Sequence, residues 1–261
     1  MNSFFTNKPL IGMLHLQPLA GSVAYARQGT KPILDAALRD LYALESGGVD
    51  AVFIENLGDV PYAKTAPIET VAMMTTIVHM LIERAHIPLG VNVLRNDGMA
   101  AIAIAAATGA SFVRVNVFCG SAFTDQGLIE GQARRLHWLR RELGTQTLIL
   151  ADVHVKHAAH LTSLEEAALD ADRNQPDALI VSGIGTGRRT SPDDLQVVKQ
   201  VSSLPVLIGS GVRIDNVATY READGFIVGT VLKEEGHINA PVDVKRVKAM
   251  ADAVSSLRST R

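Results

Sequence analysis

Acid and base side chains stand at the ends of short apolar segments in this chain. Asp152 and His154 lie two residues apart at the end of one segment, and His15 and Glu55 end two others. Carboxyl and imidazole groups in different environments can divide the roles of acid and base between them. Lys156 follows closely and could form a Schiff base or simply attract phosphate. We predict that these five residues carry proton-transfer chemistry.

Further polar residues belong to the same region. Most share the inward parity of neighbouring segments, since side chains alternate along a strand, and Asp125 lies in a long glycine-containing loop, residues 118–131. Buried polar groups must be paired, so the alternative is a core network, such as Glu55 with Arg114. We predict that the set binds substrate: Asn92, Arg95, Arg114, Asn116, Asp125 and Ser182.

Glycines end the last two apolar segments. Gly209-Ser210-Gly211 ends the seventh segment and Gly229-Thr230 ends the eighth. Glycine lets backbone N–H groups approach an anion, and loops at these places form the phosphate site of many barrels. A tight turn is the alternative role of such glycines. The loop at residues 183–190 is basic and could close over an anion, or Arg188 and Arg189 could be solvated surface charges.

These residues need a scaffold that brings eight segment ends together. Near-continuous apolar segments of strand length indicate a parallel sheet buried on both faces, and amphipathic stretches of helix length separate them. The pattern predicts one α/β domain over residues 1–261, a (β/α)8 TIM barrel. A Rossmann-like sheet is the runner-up, but no strand precedes a full Gly-x-Gly-x-x-Gly. The predicted strands are Leu10–His15, Ala51–Asn56, Leu89–Leu94, Phe112–Val117, Leu148–His154, Ala178–Gly183, Val206–Gly211 and Gly225–Thr230.

Composition narrows the class of protein. Hydrophobic residues make up 47% of the 261 residues, enough for a large core, and the net charge of −2 lacks the basic excess of a nucleic-acid binder. The single cysteine excludes an intrachain disulfide. Neither a signal peptide nor a membrane span is visible, so we expect a cytoplasmic protein. Peripheral membrane contact and homo-oligomerisation stay open.

A metal site is not predicted. His15, Glu55, Asp152 and His154 have side chains that suit zinc, iron or manganese, but no tight ligand spacing joins them. The sequence assigns no cofactor.

Several motifs together resemble one family. They are Ile11-Gly-Met-Leu-His15, Gly90-Val-Asn-Val-Leu-Arg-Asn-Asp97, Phe112-Val-Arg-Val-Asn116, Thr124-Asp-Gln-Gly127, Ala151-Asp-Val-His-Val-Lys-His157, Val181-Ser-Gly183, Gly209-Ser-Gly-Val212 and Asp224-Gly-Phe-Ile-Val-Gly229. Over nearly its whole length the chain resembles the BtpA/SgcQ family. The resemblance implies a phosphate-binding TIM barrel. Gln17 and Ala20 replace expected prolines, and Cys119 replaces an expected small polar residue, beside the predicted pocket.

The resemblance implies two different kinds of function. The family takes its name from photosystem I biogenesis at the cyanobacterial thylakoid surface, whereas other members sit with sugar-metabolism genes. We predict an enzyme acting on a small phosphorylated metabolite, an isomerase, epimerase or lyase. An assembly or stability factor without catalysis is the rival class, and a metabolite-binding regulator is a third.

Overall fold

Eight parallel strands pair in a closed ring, which confirms the predicted barrel. The computed structural model describes residues 3–183 and 189–258. Strands β5, β6 and β8 form a separate antiparallel sheet, and the others close the barrel in the order β1-β11-β10-β9-β7-β4-β3-β2. The strands are β1 Leu10–His15, β2 Ala51–Glu55, β3 Leu89–Asn92, β4 Phe112–Val115, β5 Ser121–Thr124, β6 Gly127–Glu130, β7 Leu148–Asp152, β8 Ala158–His160, β9 Ala178–Val181, β10 Val206–Ile208 and β11 Gly225–Val228.

The barrel strands begin where the sequence predicts, but most end earlier. Only β1 ends at its predicted residue; β7 ends at Asp152 instead of His154, and β10 at Ile208 instead of Gly211. The residues that follow, Val-His-Val after Asp152 and Gly-Ser-Gly after Ile208, do not mark the strand end unambiguously. Strand pairing in the closed ring stops at the rim, where each strand leads into a different loop. Predicted residues beyond the rim therefore need not follow strand parity.

Helices cover the outside of the barrel. Ser163 and Glu166 form a capping box, and Ser191 caps a helix that opens with Pro192. Pro67 stands at the N-cap of its helix. After β10 the described chain forms a short 3-10 helix, Val217–Tyr220, in place of an eighth α-helix. The α-helices are α1 Thr30–Gly47, α2 Ile68–Ile82, α3 Gly98–Thr108, α4 Ala133–Glu142, α5 Leu164–Arg173, α6 Pro192–Val201 and α7 Val244–Arg258.

Within the described residues, none of these helices has the length and apolar character needed to cross a membrane.

Two apolar layers confirm the strand parity used to select the site residues. One layer fills the barrel interior with alternate side chains such as Ile11, Phe53 and Leu150. On each strand, the side chains at the alternate positions pack outward against the helices. At the amino-terminal end of the barrel, Phe112 packs edge-on against Phe53, with ring centroids 4.7 Å apart. Gly90 makes room for that ring, because a β-carbon there would lie 2.1 Å from it.

The segment predicted as a long binding loop is instead a β-hairpin. Strands β5 and β6 pair with each other, and β5 also pairs with β8. Ala122 and Ile129 point inward and pack against Val117 and Val155. This small apolar cluster explains why residues 118–131 are ordered above the barrel rather than free.

Candidate functional site

A cavity of about 880 Å³ opens at the carboxyl-terminal rim of the barrel. Its wall is built from the ends of the strands and the loops that follow, where barrels place their chemistry. Asn92, Asp152, His154 and Ser182 do not line it. The predicted residues that do are His15, Glu55, Arg95, Arg114, Asn116, Asp125, Lys156, Gly209, Ser210, Gly211, Gly229 and Thr230.

A buried polar network forms the floor of the cavity. Arg114 donates from Nε and Nη2 to the two carboxylate oxygens of Asp152, at 2.9 and 2.8 Å. Asn116 donates to the same carboxylate at 2.8 Å and Ser182 at 3.0 Å. Asn92 donates to Asn116 Oδ1 and to the Arg114 carbonyl. We call Asn92, Arg114, Asn116, Asp152 and Ser182 the floor network.

The floor network is the kind of buried core network that was the alternative interpretation of these residues. In it the partner of Arg114 is Asp152 and not Glu55. Asp152 faces inward as predicted, but its side chain is fully shielded and its oxygens already accept four hydrogen bonds, so it is not placed to exchange protons with a substrate. Asn92 and Ser182 support this network instead of reaching the cavity.

Glu55 and His15 face the cavity side by side. His15 Nε2 lies 3.8 Å from Glu55 Oε1, and both side chains are 9% exposed. Burial raises the pKa of Glu55, against the opposing effect of Arg114 and Lys156. Burial, with the charges of Lys233 and Lys156, lowers the pKa of His15 to about 3. His15 is therefore a neutral imidazole at pH 7, and the pair is not an ion pair.

Two cations line the cavity beyond β3 and β7. Arg95 is buried, and its Nη2 donates to the Lys156 carbonyl at 2.7 Å. Lys156 is half-buried, and burial, followed by the charge of Arg114, lowers the pKa of its amine. Burial likewise lowers the pKa of Arg95. The sequence analysis predicts both as site residues, and in the structure a hydrogen bond joins them at the cavity wall.

The expectation that His154 faces the barrel axis beside Asp152 is wrong. Because β7 ends at Asp152, the chain turns away and His154 stacks on His160, with ring centroids 4.1 Å apart. Burial, with the effect of His160, lowers the pKa of His154 to about 4. His157 is exposed and also lines the cavity.

The two predicted glycine segments meet on one side of the cavity. We call Gly209–Gly211 and Gly229–Thr230 the glycine cradle. Gly211 has a φ of 69°, in the left-handed region that favours glycine. A β-carbon at Gly209 would lie 2.4 Å from Ile180, so this glycine also serves interior packing. The glycine cradle thus contains a turn that requires glycine, and its residues also line the cavity.

Arginines that the sequence analysis missed line the cavity. Arg213 directly follows the Gly209-Ser-Gly-Val motif, and this position beside the predicted phosphate site could have identified it from the sequence. Arg246 comes from α7, the last helix, and only closure of the barrel brings it near β11. Tyr62 reaches the cavity from the loop after β2, with its hydroxyl donating to the Leu57 carbonyl at 2.8 Å.

The positions where the chain departs from the family pattern do not line this cavity. Gln17, Ala20 and Cys119 are all absent from its wall. Burial raises the pKa of the Cys119 thiol to about 11, so it is protonated at neutral pH.

The structure bears on the question of a metal site and on part of the basic loop at residues 183–190. In the part of the chain that the structure describes, no three or more histidine, cysteine or acidic side chains gather as a metal site would require. Of the basic loop at residues 183–190, Arg189 is exposed and pairs with Asp215 at 3.0 Å. Arg188 and the rest of residues 184–188 lie outside the described residues.

Comparisons with known proteins give a family and a fold. The model of the BtpA family matches residues 6–256. A protein of Thermococcus kodakarensis is 46% identical over 258 residues, 98% of each chain. The photosystem I biogenesis protein BtpA of Synechocystis is 41% identical over 259 residues, 97% of this chain and 90% of its own.

Solved structures with the same fold are distant in sequence. Thiamine phosphate pyrophosphorylase of Pyrococcus furiosus has a TM-score of 0.61 at 16% identity, covering 98% of this chain and 99% of its own. N-(5'-phosphoribosyl)anthranilate isomerase of the same organism has a TM-score of 0.60 at 12% identity, covering 95% and 99%. At these identities the likeness establishes the barrel fold.

Proposed function

This chain belongs to the BtpA family, and from that premise we propose that it is an enzyme acting on a small phosphorylated metabolite by proton transfer. The observation that carries the proposal is Glu55, a buried carboxyl that faces the cavity beside a neutral imidazole. A carboxyl with a raised pKa can both take and return a proton near neutral pH. The substrate class is a sugar phosphate or a similar compound.

The glycine cradle is the proposed phosphate site. Two glycine segments on neighbouring strand ends allow backbone N–H groups to approach an anion, and Thr230 adds a hydroxyl. Arg213 and Arg246 line the cavity with the cradle and supply positive charge. Two barrels of similar fold carry phosphorylated compounds in their names, which supports phosphate as the ligand here.

The remaining cavity residues divide the chemistry. Glu55 would remove a proton from a substrate carbon or hydroxyl, and neutral His15 would donate a hydrogen bond to the neighbouring oxygen. Arg114 uses Nε and Nη2 on Asp152, so its remaining Nη1 can stabilise a developing oxyanion. Isomerisation, epimerisation and aldol-type cleavage all begin with such a transfer.

The test compares two carboxylates in one cavity. Phosphorylated sugars are screened by thermal shift, and compounds that bind are assayed for turnover with the wild type, Glu55→Gln and Glu235→Gln. Glu235 also lines the cavity, but its side chain is 85% exposed. We expect Glu55→Gln to lower kcat by about 10²–10⁴-fold, while Glu235→Gln keeps its activity. Full kcat in a folded Glu55→Gln protein would exclude the mechanism.

A role without catalysis is favoured by one finding, the name of the Synechocystis relative. If that role alone applies here, the cavity chemistry should be dispensable. In a Synechocystis strain lacking that relative, photosystem I content is compared after expression of this chain and of its Glu55→Gln variant. Equal restoration by both would support an assembly factor. Ligand binding without turnover in either protein would instead indicate a metabolite-binding regulator.

A further inference from the structure

Among the described residues, Arg95 and Lys156 are cations without a carboxylate partner. Arg95 is only 6% exposed, yet neither it nor Lys156 has a carboxylate oxygen within 4.0 Å among the described residues. Asp152, Asp125 and Glu55 act on them only from farther away. A buried positive charge is costly unless an anion compensates it. Both side chains line the cavity, so a ligand can supply that anion.

A hydrogen bond joins Arg95 to the backbone of Lys156, and the charge of Arg95 acts on the Lys156 amine. The Arg95 guanidinium donates to the Lys156 carbonyl at 2.7 Å, which holds the loop after β7 against the loop after β3. Burial lowers the pKa of each group, as expected for cations that lack a counter-charge. An anion bound here would reverse that effect.

The strands that lead to Arg95 and Lys156 stand across the barrel ring from the strand that leads into Gly229. Arg95 follows β3 and Lys156 follows β7, and β4 stands between those strands in the ring. In the closed order of eight strands, β4 is directly opposite β11, whose end carries Gly229. Glu55 ends β2, between the two sides.

We propose that the substrate carries a second anionic group, a carboxylate or a second phosphate, which Arg95 and Lys156 bind opposite the glycine cradle. We call this pair the distal anion site. The inference rests on the proposed function, because the cradle must hold the first phosphate. A molecule anchored at both ends has its middle atoms over Glu55. The cavity volume of about 880 Å³ is ample for a metabolite of that kind.

The experiment compares probes with one and two anionic ends. Glycerol 3-phosphate has one phosphate, 3-phosphoglycerate adds a carboxylate, and fructose 1,6-bisphosphate has two phosphates. Calorimetry gives the Kd of each for the wild type. One additional charge-assisted contact should make a two-ended probe bind at least about tenfold more tightly. Whichever two-ended probe gains more identifies the second group as carboxylate or phosphate.

Variants then locate the gain. Arg95→Gln and Lys156→Gln should each reduce the advantage of two-ended probes and leave the Kd of glycerol 3-phosphate unchanged. Lys156→Gln keeps the test valid if Arg95→Gln disturbs folding, since the Lys156 contact with Arg95 uses the backbone carbonyl. The matched control is Arg135→Gln, an exposed arginine on α4, which should leave every Kd unchanged.

Failure of the distal anion site and failure of the phosphate proposal give different results. Equal wild-type affinity for all three probes, or an unchanged preference in both distal variants, overturns the distal anion site. The phosphate proposal is tested by Gly211→Val, which should abolish binding of glycerol 3-phosphate. Gly144→Val controls for strain, since Gly144 has a similar φ of 63° and open space around its α-carbon.

Discussion

Burial of Glu55 makes its charged form costly to the folded protein. Its carboxyl is held in the cavity wall with no ion pair to a protonated partner, since the neighbouring His15 is neutral at pH 7. Burial disfavours the charged carboxylate and raises its pKa. Such groups cluster at functional sites, where a proton must be exchanged near neutral pH.

Glu55→Gln should make the protein more stable at pH 8, and the gain should vanish near pH 4. The pKa of Glu55 in the folded chain is raised above the value of 4.5 taken for the unfolded chain. The stability from this group is thus fully present below pH 4.5 and lost as the pH rises through the folded pKa. Glutamine stays neutral throughout.

Urea unfolding between pH 4 and pH 8 measures this effect. Glu235→Gln, at the exposed carboxylate of the same cavity, should follow the wild type at every pH. A stability difference between Glu55→Gln and the wild type that does not change with pH would contradict the burial argument.

At the scale of elements, the β5–β6 hairpin is a small unit added to the barrel rim. It has its own apolar cluster and is joined to the chain after β7 by pairing with β8. The hairpin carries Asp125 to the cavity wall. Its stability should therefore affect the site without deciding whether the barrel folds.

Ile129→Ala should loosen the hairpin and leave the barrel intact. Ile129 is 6% exposed within the small cluster, so its truncation should cost about 2 kcal/mol, at the low end for buried isoleucine. Leu128→Ala is the matched control, because Leu128 precedes it on β6 and is 42% exposed. Hydrogen exchange should show lost protection only in β5, β6 and β8. Equal loss in the barrel strands would show that the hairpin is not a separate unit.

At the scale of the whole molecule, the floor network joins strands around half of the ring. Arg114 on β4 donates a hydrogen bond to Asp152 on β7, and Ser182, which follows β9, donates to the same carboxylate. These residues are far apart in the chain, and the Arg114 and Asp152 side chains are 3% and 0% exposed. The network is therefore part of the closed barrel itself rather than of any single βα unit.

Asp152→Asn should lower the free energy of unfolding of the whole protein by about 3–5 kcal/mol, because it leaves the buried Arg114 charge without its partner. Asp170→Asn removes the partner of Arg173 in an exposed pair and should cost at most about 1 kcal/mol. Chemical denaturation of both variants checks the difference. Equal losses would contradict the buried-pair argument, and an Asp152→Asn protein that is stable but inactive per folded molecule would restore Asp152 to the chemistry.

Local sequence determined a large part of this protein. The eight apolar segments place the starts of the barrel strands, and their period of two correctly separates interior residues such as Ile11 and Phe53 from helix-facing ones. His15, Glu55 and the glycine cradle could be selected for the same reason. Strand parity and glycine conformation depend on neighbouring residues alone.

Only the tertiary structure decided where the strands end and which charges pair. The departure of His154 from the barrel, the pairing of Asp152 with Arg114 across 38 residues, and the arrival of Arg246 from α7 have no local signal. The isolation of Arg95 and Lys156 from the carboxylates of the described residues is likewise visible only in three dimensions. Each depends on ring closure, which sets the rim and brings distant segments into contact.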